Sequence, residues 1–252
     1  SIRIYVTKKL PESKLRKDEI IPKELDGIPT DVVEIGKLKK LQGYKDRYRP
    51  SPCGVSTSRL DEEAAGTIGW WLVDEDGQLY LMSNNHVWAK ENQGIQGDKI
   101  IQPGRLDGGG DSDVIAELFD FIPIDFTGNP NHVDLAIATP IDISQVYMSI
   151  MEIGGIVGKC DPTIDKIAYK VGRSTGKTCG EVIDDSATVN VEYASGTALF
   201  EDVFIVSSDK VIVQGGDSGS PILSENNEFL GLLFAGNENG TMFVGCKQSY
   251  IE

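Results

Sequence analysis

The sequence predicts a mainly β protein, and two features of its composition lead to that prediction. Glycine is abundant, at 28 of 252 residues, and it supplies the backbone conformations that tight turns need. Short runs of β-branched and aromatic residues recur, as in residues 201–206 and 211–213, and such runs favour strands. A chain of this length can bury a large core. We therefore expect an all-β body with many turns, to which an extra segment is attached.

The first 40 residues differ from that body and are predicted to form a small α/β piece. Residues 3–9 and 31–36 have the composition of strands, whereas the charged stretch 11–19 favours one or two helical turns. Residues 41–52 contain two tyrosines and two prolines and are predicted to connect this piece to the body. Residues 1–52 are thus assigned as an N-terminal accessory segment with its linker.

Charge is distributed unevenly along the chain. Residues 1–50 carry 13 Lys and Arg against 8 Asp and Glu, a net +5, while the remainder carries 11 against 31, a net −20. The gradient is either incidental, or the basic segment docks on the acidic body or on a neighbouring subunit, which leaves a homo-oligomer open. Nucleic acid is not expected as a partner of the body, because phosphate contacts need concentrated Lys and Arg.

The apolar runs of the sequence bear on membrane association, and its cysteines bear on the cellular compartment. No apolar run approaches the roughly 20 residues that span a bilayer, so no membrane partner is expected. No secretory leader is visible, although the start at Ser1 without methionine indicates that something upstream was removed. Cys53, Cys160, Cys179 and Cys246 lack Cys-x-x-Cys spacing, which argues against a zinc site and favours free thiols. We expect a cytoplasmic protein; one or two disulfides and a removed leader are the alternatives.

Residues 215–221, Gly-Gly-Asp-Ser-Gly-Ser-Pro, are the most informative stretch for function. Ser218 lies between glycines in a predicted tight turn, and residues 210–213 and 222–223 are predicted to be strands on either side. A serine in such a turn can present its hydroxyl and two backbone N–H groups to one point, as an acyl-transfer nucleophile does with its oxyanion hole. The alternative is an ordinary glycine-rich hairpin.

A base and an acid occur elsewhere in the chain. His86 follows the apolar strand predicted at residues 79–82, at a position typical of side chains that work in a cleft. His132 follows Gly-Asn-Pro-Asn and is predicted to be a solvated loop residue. Asp134 opens the apolar run 134–138, where a carboxylate is costly unless it is paired, and a histidine N–H would satisfy it.

The order His86, Asp134, Ser218, at separations of 48 and 84 residues, resembles that of the chymotrypsin-like serine proteases. The resemblance implies two six-stranded antiparallel β-barrels. The first would span residues 53–140 and hold the histidine and the aspartate, and the second would span residues 166–252 and hold the serine. Residues 141–165 would cross between them, with helical content at residues 143–152.

Further stretches resemble a narrower group, the trypsin-like peptidases related to the plant narrow-leaf protein and their bacterial relatives. They include Ala-Gly-Thr-Ile-Gly at residues 65–69, Gln-Pro-Gly at residues 102–104, and Val-Gly-Arg-Ser-Thr-Gly-Lys-Thr at residues 171–178. This resemblance extends from near the start of the chain to beyond residue 221. It implies a serine endopeptidase that acts on protein or peptide substrates.

The resemblance assigns roles to the residues of the site. Ser218 would attack the peptide carbonyl, His86 would transfer its proton, and Asp134 would orient His86. The N–H groups of Gly216 and Ser218 would bind the oxyanion, and no metal or organic cofactor is needed. No basic cleavage site precedes a new N-terminus that could pair with Asp217, so we expect this aspartate to find an internal partner.

The pocket for the side chain on the acyl side of the scissile bond is also assigned by resemblance. Its base would be Ile212, six positions before the nucleophile, and its wall would be residues 231–236, including Phe234, Ala235 and Gly236. No acid is offered at the base, so a buried Lys or Arg would remain unpaired and an apolar side chain should be preferred. A one-residue slip in this assignment would change which side chains face the pocket.

The sequence contains two other motifs and leaves two other functions as alternatives. Residues 172–178 resemble a phosphate-binding loop, but Val171 stands where the first glycine is needed, which favours a strand-turn. Residues 107–113 contain three carboxylates and are predicted to be a solvated turn, with a weak calcium site as the alternative. A protease-fold binding or scaffolding module and an esterase-like hydrolase are the rival functions.

Overall fold

The computed structural model describes residues 1–36 and 43–251. It divides into two compact units, Ser1–Gln42 and Gly43–Glu252. Within the described ranges, no helix has the length and apolar character needed to cross a membrane. All four cysteines are free thiols, as the sequence favoured.

The N-terminal unit is a three-stranded sheet built from β1 (Ile2–Val6), β2 (Glu24–Leu25) and β3 (Ile28–Glu34). The central strand β3 is parallel to β1 and antiparallel to β2. The stretch between β1 and β2 forms two 3-10 turns, Glu12–Lys14 and Lys17–Glu19, where charged helical turns were predicted. The accessory segment is therefore a small mixed sheet with short helical turns.

The larger unit begins with the strands of the first barrel and the short strand before them. They are β4 (Ser51–Cys53), β5 (Ser56–Arg59), β6 (Gly66–Thr67), β7 (Trp71–Val73), β8 (Leu79–Ser83), β9 (Lys99–Ile101), β10 (Val114–Phe121) and β11 (Ala136–Pro140), with the single α-turn α1 (Asn85–Trp88) after β8. Strand pairing runs in the order β6-β5-β9-β10-β11-β8-β7.

Backbone hydrogen bonds of residues 68 and 69, which lie between β6 and β7 in the chain, close this sheet. Ile68 N donates to Val55 O at 2.9 Å, and Gly69 N donates to Met82 O at 2.8 Å. Residues 66–73 therefore pair with β5 at one end and with β8 at the other, and β6 and β7 act as one irregular strand. The first barrel is a ring of six strands.

The crossing segment is extended where helix was predicted. After a 3-10 turn at Ile143–Gln145, β12 (Val146–Ile150) pairs in parallel with β4, and β13 (Gly158–Lys159) follows. Val146 and Ile150 are β-branched and buried in this pairing. Tertiary packing of such residues favours the strand over a helix here.

The second barrel is also a closed ring of six antiparallel strands, as predicted. They are β14 (Ile167–Gly172), β15 (Gly176–Tyr193), β16 (Gly196–Ser207), β17 (Pro221–Ser224), β18 (Glu228–Gly236) and β19 (Met242–Lys247), and a last 3-10 turn covers Gln248–Tyr250. The ring closes because β18 pairs with both β17 and β19. The turn at residues 172–176 joins β14 to β15 and is a strand-turn.

The strands β15 and β16 form an arm that reaches the first barrel. They are 18 and 12 residues long, and three register shifts bend them between Val182 and Val189. Asn131 N donates to Leu199 O and Glu201 N donates to Asn131 O, both at 2.9 Å. The arm thus lies against the loop that leads to Asp134.

The barrels share a continuous core. One cluster of buried residues contains side chains of both barrels, including Trp88 and Leu118 of the first and Phe200 and Phe234 of the second. A separate cluster fills the second barrel around Phe204, Ile212 and Phe243. The cleft between the barrels therefore has rigid walls, because packed β-barrel cores leave little room for rearrangement.

Candidate active site

The α-turn that follows β8 holds His86. Asn84 precedes it at the N-cap position, and the Asn84 side-chain amide donates to Asp134 O at 2.8 Å, which fixes the turn against the segment that leads into β11. The side chain of Asn85 is also anchored, because its amide donates to Ile122 O at 2.8 Å. The His86 side chain remains 20 % exposed, so the imidazole has one side toward solvent.

Asp134 is fully buried beside this imidazole. His86 Nδ1 lies 2.5 Å from Asp134 Oδ2, and His86 N donates to Asp134 Oδ1 at 3.3 Å. Tyr193, at the end of β15, donates its hydroxyl to Asp134 Oδ2 at 3.0 Å. Because the Asp134 carboxylate can only accept a hydrogen bond from Nδ1, His86 carries its proton on Nδ1 and its Nε2 is available as a base.

Ser218 sits in a turn that depends on two left-handed glycines. Gly216 and Gly219 have φ values of 96° and 91°, which side-chain-bearing residues rarely adopt. Gly219 N donates to Leu233 O, and Ser218 O accepts from Thr67 N, both at 2.8 Å. The turn is thereby tied to β18 of its own barrel and to β6 of the other.

Two cavities open on either side of His86 and Ser218. The larger, about 400 Å³, is also lined by the arm at Tyr193 and by the end of β18. The smaller, about 160 Å³, is also lined by Gly66 and Val87. The structure therefore places His86 and Ser218 at one cleft, with the buried Asp134 hydrogen-bonded to His86 behind it.

The two candidate oxyanion donors are free of protein acceptors. In the part of the chain that the structure describes, the N–H groups of Gly216 and Ser218 donate no hydrogen bond. The Gly215 carbonyl accepts from Ser174 Oγ at 2.7 Å and is held by it. Because N–H and C=O point in opposite directions across a trans peptide, this contact also fixes the direction of the Gly216 N–H.

Asp217 has the internal partner that the sequence called for, and it is Lys170 on β14. Both side chains are fully buried, with Lys170 Nζ 3.2 Å from Asp217 Oδ2. The other carboxylate oxygen accepts from Ser174 N at 2.8 Å and from Thr175 N at 3.1 Å. Burial lowers the pKa of Lys170, and the charge of Asp217 opposes that shift. The ion pair and its hydrogen bonds fix the turn from inside the barrel.

A second ion pair connects the barrels behind the turn. Arg173 binds Asp107 through two hydrogen bonds, Nε to Oδ2 at 2.6 Å and Nη2 to Oδ1 at 2.8 Å. Ser56 Oγ donates to the same carboxylate at 2.6 Å. Although burial raises the pKa of Asp107, these hydrogen bonds and the Arg173 charge hold it below its usual value. Among the described residues there is no group that could hold a metal ion.

The predicted specificity pocket lies partly where the sequence placed it. Phe234, Ala235 and Gly236, at the end of β18, line the larger cavity. Ile212 does not, because it packs in the core of the second barrel, and its neighbour Val213 lines the cavity instead. The predicted strand at residues 210–213 is irregular, and both Ile212 N and Val213 N donate to Gly240 O. The residue that lines the pocket is therefore Val213, one position after the predicted Ile212.

Val213 also packs against the Gly236 side of this pocket. A Cβ added to Gly236 would lie 2.7 Å from Val213 Cγ1, so the valine already fills the space between the two walls. Two carboxylates line the cavity, Glu91 and Glu192, on the α1 side and on the arm. Val213 and Phe234, which also line it, are apolar.

Comparisons with known proteins identify the fold. No family model and no curated protein matches the chain. Among solved structures, it is similar to the Nocardiopsis protease NAPase, with 18% identity over 80% of this chain and 95% of that one and a TM-score of 0.56. Thermobifida fusca Protease A has 17% identity over 80% and 96% and a TM-score of 0.56, and a glutamic acid specific serine protease has 17% identity over 80% and 95% and a TM-score of 0.57. The fold is chymotrypsin-like.

Within the chymotrypsin-like fold, the narrower resemblance to the plant narrow-leaf family stays a prediction. Sequence reasoning missed Tyr193 and Lys170. Lys170 had a weak signal, a single lysine inside the apolar run 167–171. Tyr193 had none, because its contact with Asp134 joins residues 59 positions apart.

Proposed function

We propose that this protein is a serine endopeptidase that hydrolyses peptide bonds through His86, Asp134 and Ser218. The observation that carries the proposal is the buried Asp134–His86 hydrogen bond at 2.5 Å, with Ser218 beside His86 in an open cleft. A carboxylate that holds Nδ1 of an imidazole with its other side toward solvent prepares Nε2 to accept a proton. The chymotrypsin-like fold supports the same reaction.

The reaction proceeds in two halves. Ser218 Oγ attacks the carbonyl carbon while His86 Nε2 takes the hydroxyl proton, and the carbonyl oxygen becomes an oxyanion. The N–H groups of Gly216 and Ser218 bind that oxyanion. His86 then gives its proton to the leaving amine as the C–N bond breaks and an acyl-enzyme remains. Water gives a proton to His86 Nε2 and attacks the acyl carbon; the C–Oγ bond then breaks as His86 returns that proton to Ser218 Oγ, and the carboxylic acid product leaves.

Asp134 and the Gly216 turn supply electrostatic stabilisation. The buried negative charge of Asp134 stabilises the imidazolium that forms in each half-reaction. A single oxyanion donor is worth roughly 10²–10³ in turnover. Both groups act from fixed positions, so the protein does not reorganise when charge develops.

The apolar lining of the larger cavity by Val213 and Phe234 favours a small or medium apolar side chain on the acyl side of the scissile bond. Val213 and Phe234 offer no charge to a Lys or Arg, and burying such a charge unpaired costs several kcal/mol. A long side chain would also meet Val213, which packs against Gly236. We expect cleavage after residues such as Ala or Val.

A fluorophosphonate probe tests the proposed activity. The wild-type protein should become labelled on Ser218, Ser218→Ala should not, and Ser144→Ala, which changes an exposed serine in the crossing segment, should label normally. Labelling of Ser218→Ala at the wild-type rate, or none of the wild-type protein, would contradict the proposal and favour a binding module.

Profiling with a mixed peptide library tests the specificity. Products should end in small apolar residues, and Val213→Ala should shift the preference toward larger apolar residues by about tenfold in relative kcat/KM. Val211→Ala, an exposed neighbour, serves as the control. Dominant cleavage after Lys or Arg would show that another pocket receives the side chain.

A further inference from the structure

We infer that Tyr193 is a positioning residue that orients Asp134 for its work on His86. The inference rests on the proposed function, since it concerns the same three residues. It assigns to the second barrel a part in aligning the acid and the base, both of which lie in the first barrel.

The first observation is how few donors reach the Asp134 carboxylate. Among the described residues, its oxygens accept hydrogen bonds from His86 N, His86 Nδ1 and the Tyr193 hydroxyl. The carboxylate is fully buried, and no Lys or Arg forms an ion pair with it within the described ranges. A buried charge without a cation needs every hydrogen bond it has, so the phenol is a main source of its stabilisation.

The second observation is that Tyr193 contacts both members of the pair. Its hydroxyl lies 3.0 Å from Asp134 Oδ2, the oxygen that also faces His86 Nδ1. Its ring packs edge-on against the imidazole of His86, with 5.6 Å between centroids and 64° between planes. The aromatic ring limits where the imidazole can tilt, while the hydroxyl limits how the carboxylate can rotate.

The phenol remains a donor at neutral pH. Burial is the main cause that raises the pKa of Tyr193 far above its usual range, and the negative charge of Asp134 adds to it. The hydroxyl therefore keeps its proton and donates it to the carboxylate. A neutral donor stabilises Asp134 without neutralising the charge that the imidazolium needs.

The third observation is that the tip of the arm is clamped. Glu91 accepts from Ala194 N at 3.1 Å and from Ser195 N at 2.7 Å, so its carboxylate holds the residues that follow Tyr193. Glu91 itself has a left-handed backbone, with φ at 52°. Such a conformation in a residue other than glycine persists where the surroundings enforce it, and it is common at functional sites.

Aromatic packing completes the placement. Phe126 of the first barrel meets the Tyr193 ring edge-on at 5.8 Å, and Phe200 of β16 lies at 6.3 Å. Together with the Glu91 clamp, these contacts leave the tyrosine one position. The hydroxyl is thus pre-organised, as positioning groups in active sites are.

The test compares Tyr193→Phe with Tyr250→Phe in the full chain. Tyr193→Phe keeps the ring and removes only the hydroxyl. Tyr250 is the matched control, since its hydroxyl donates to another carboxylate, Asp202, at 2.8 Å, and its ring stacks on His132. The chain has two histidines, so the ring N–H signals of His86 and His132 can be assigned by NMR.

Tyr193→Phe should move the Nδ1–H signal of His86 downfield, because Asp134 loses a competing donor, and should leave His132 in place. Tyr250→Phe should move the ring N–H signal of His132 and leave that of His86 in place. On a peptide substrate, Tyr193→Phe should lower kcat about tenfold with KM changed less than twofold.

An unmoved His86 signal in folded Tyr193→Phe would overturn the inference, as would an unchanged kcat. The NMR readout needs no activity, so it stands even if the wild-type protein fails to react with the fluorophosphonate probe. Failure of the probe reaction would therefore count against the proposed function alone, and failure of the NMR shift against the inference alone.

Discussion

In the first barrel, the buried carboxylate of Asp134 accepts hydrogen bonds from a backbone amide, an imidazole and a phenol, whereas a buried ion pair inside the second barrel and a partly buried one between the barrels hold the turn of Ser218. Asp134 has no cationic partner among the described residues, while Asp217 faces Lys170 and Asp107 faces Arg173. The difference follows from what each charge does. In the proposed mechanism Asp134 keeps its charge available for His86, but the charge of Asp217 is used to fix the backbone.

The largest expected effect concerns the three residues that meet at the cleft. Ser218→Ala, His86→Ala and the double variant should lose nearly the same turnover, of order 10⁴ to 10⁶, because residues that act as a unit are not additive. Steady-state kinetics on one peptide substrate measures all three. If the two losses multiply in the double variant, Ser218 and His86 act independently and not as one catalytic unit.

Lys170→Met tests the structural charge pair of the second barrel. The variant leaves Asp217 buried without its cation, so we expect a loss of about 3–5 kcal/mol in the free energy of unfolding. Urea unfolding measures it, and Lys177→Met, which changes a lysine over the exposed face of Tyr169, is the control. Equal stability of the two variants would show that Asp217 does not need the lysine.

Gly216→Ala tests the turn itself. An added Cβ would lie 2.6 Å from Arg173 Nη1 and 2.7 Å from Ser174 Oγ, at a φ of 96°. Turnover should fall by about 10²-fold as the oxyanion donor moves. Gly215→Ala is a matched control, because nothing lies within 4 Å of its added Cβ. A smaller loss for Gly216→Ala than for Gly215→Ala would contradict the assignment of this donor.

The Arg173–Asp107 pair should make stability depend on acid pH. The pKa of Asp107 is lowered in the folded state, so its contribution is full above about pH 4 and is lost as the pH falls through the folded value. Asp107→Asn should cost about 2 kcal/mol at pH 7 and progressively less toward pH 3. Thermal melts across this range measure the difference, with the exposed Asp111→Asn as reference. A cost that stays constant with pH would rule out the ion pair as its source.

Local motifs were predictable from the sequence, whereas long-range contacts were not. His86, Asp134 and Ser218 each lie in a short stretch whose composition indicates a strand end or a tight turn. Tyr193 and Lys170 act through partners 59 and 47 positions away, and nothing in their own neighbourhoods indicates those partners.

Two further differences have local causes. Ile212 was predicted to line the pocket, but Val213 lines it. The backbone there is irregular, so the alternation of side chains along a strand does not apply. His132 was expected to be solvated, but its ring stacks on Tyr250 at 4.7 Å, a residue near the other end of the chain. The docking of the basic N-terminal segment on the acidic body or on another subunit stays a prediction.

The arm formed by β15 and β16 has a consequence for synthesis on the ribosome. Asp134 emerges 59 residues before Tyr193. At about 5–20 residues per second, roughly 3–12 s pass before the phenol that supports the acid has been made. Ser218 comes later still, and β17 to β19 must follow before the second ring can close. A nascent chain that stops between Asp134 and Ser218 holds the proposed acid and base without the proposed nucleophile, so under the proposed function it could not cleave its neighbours.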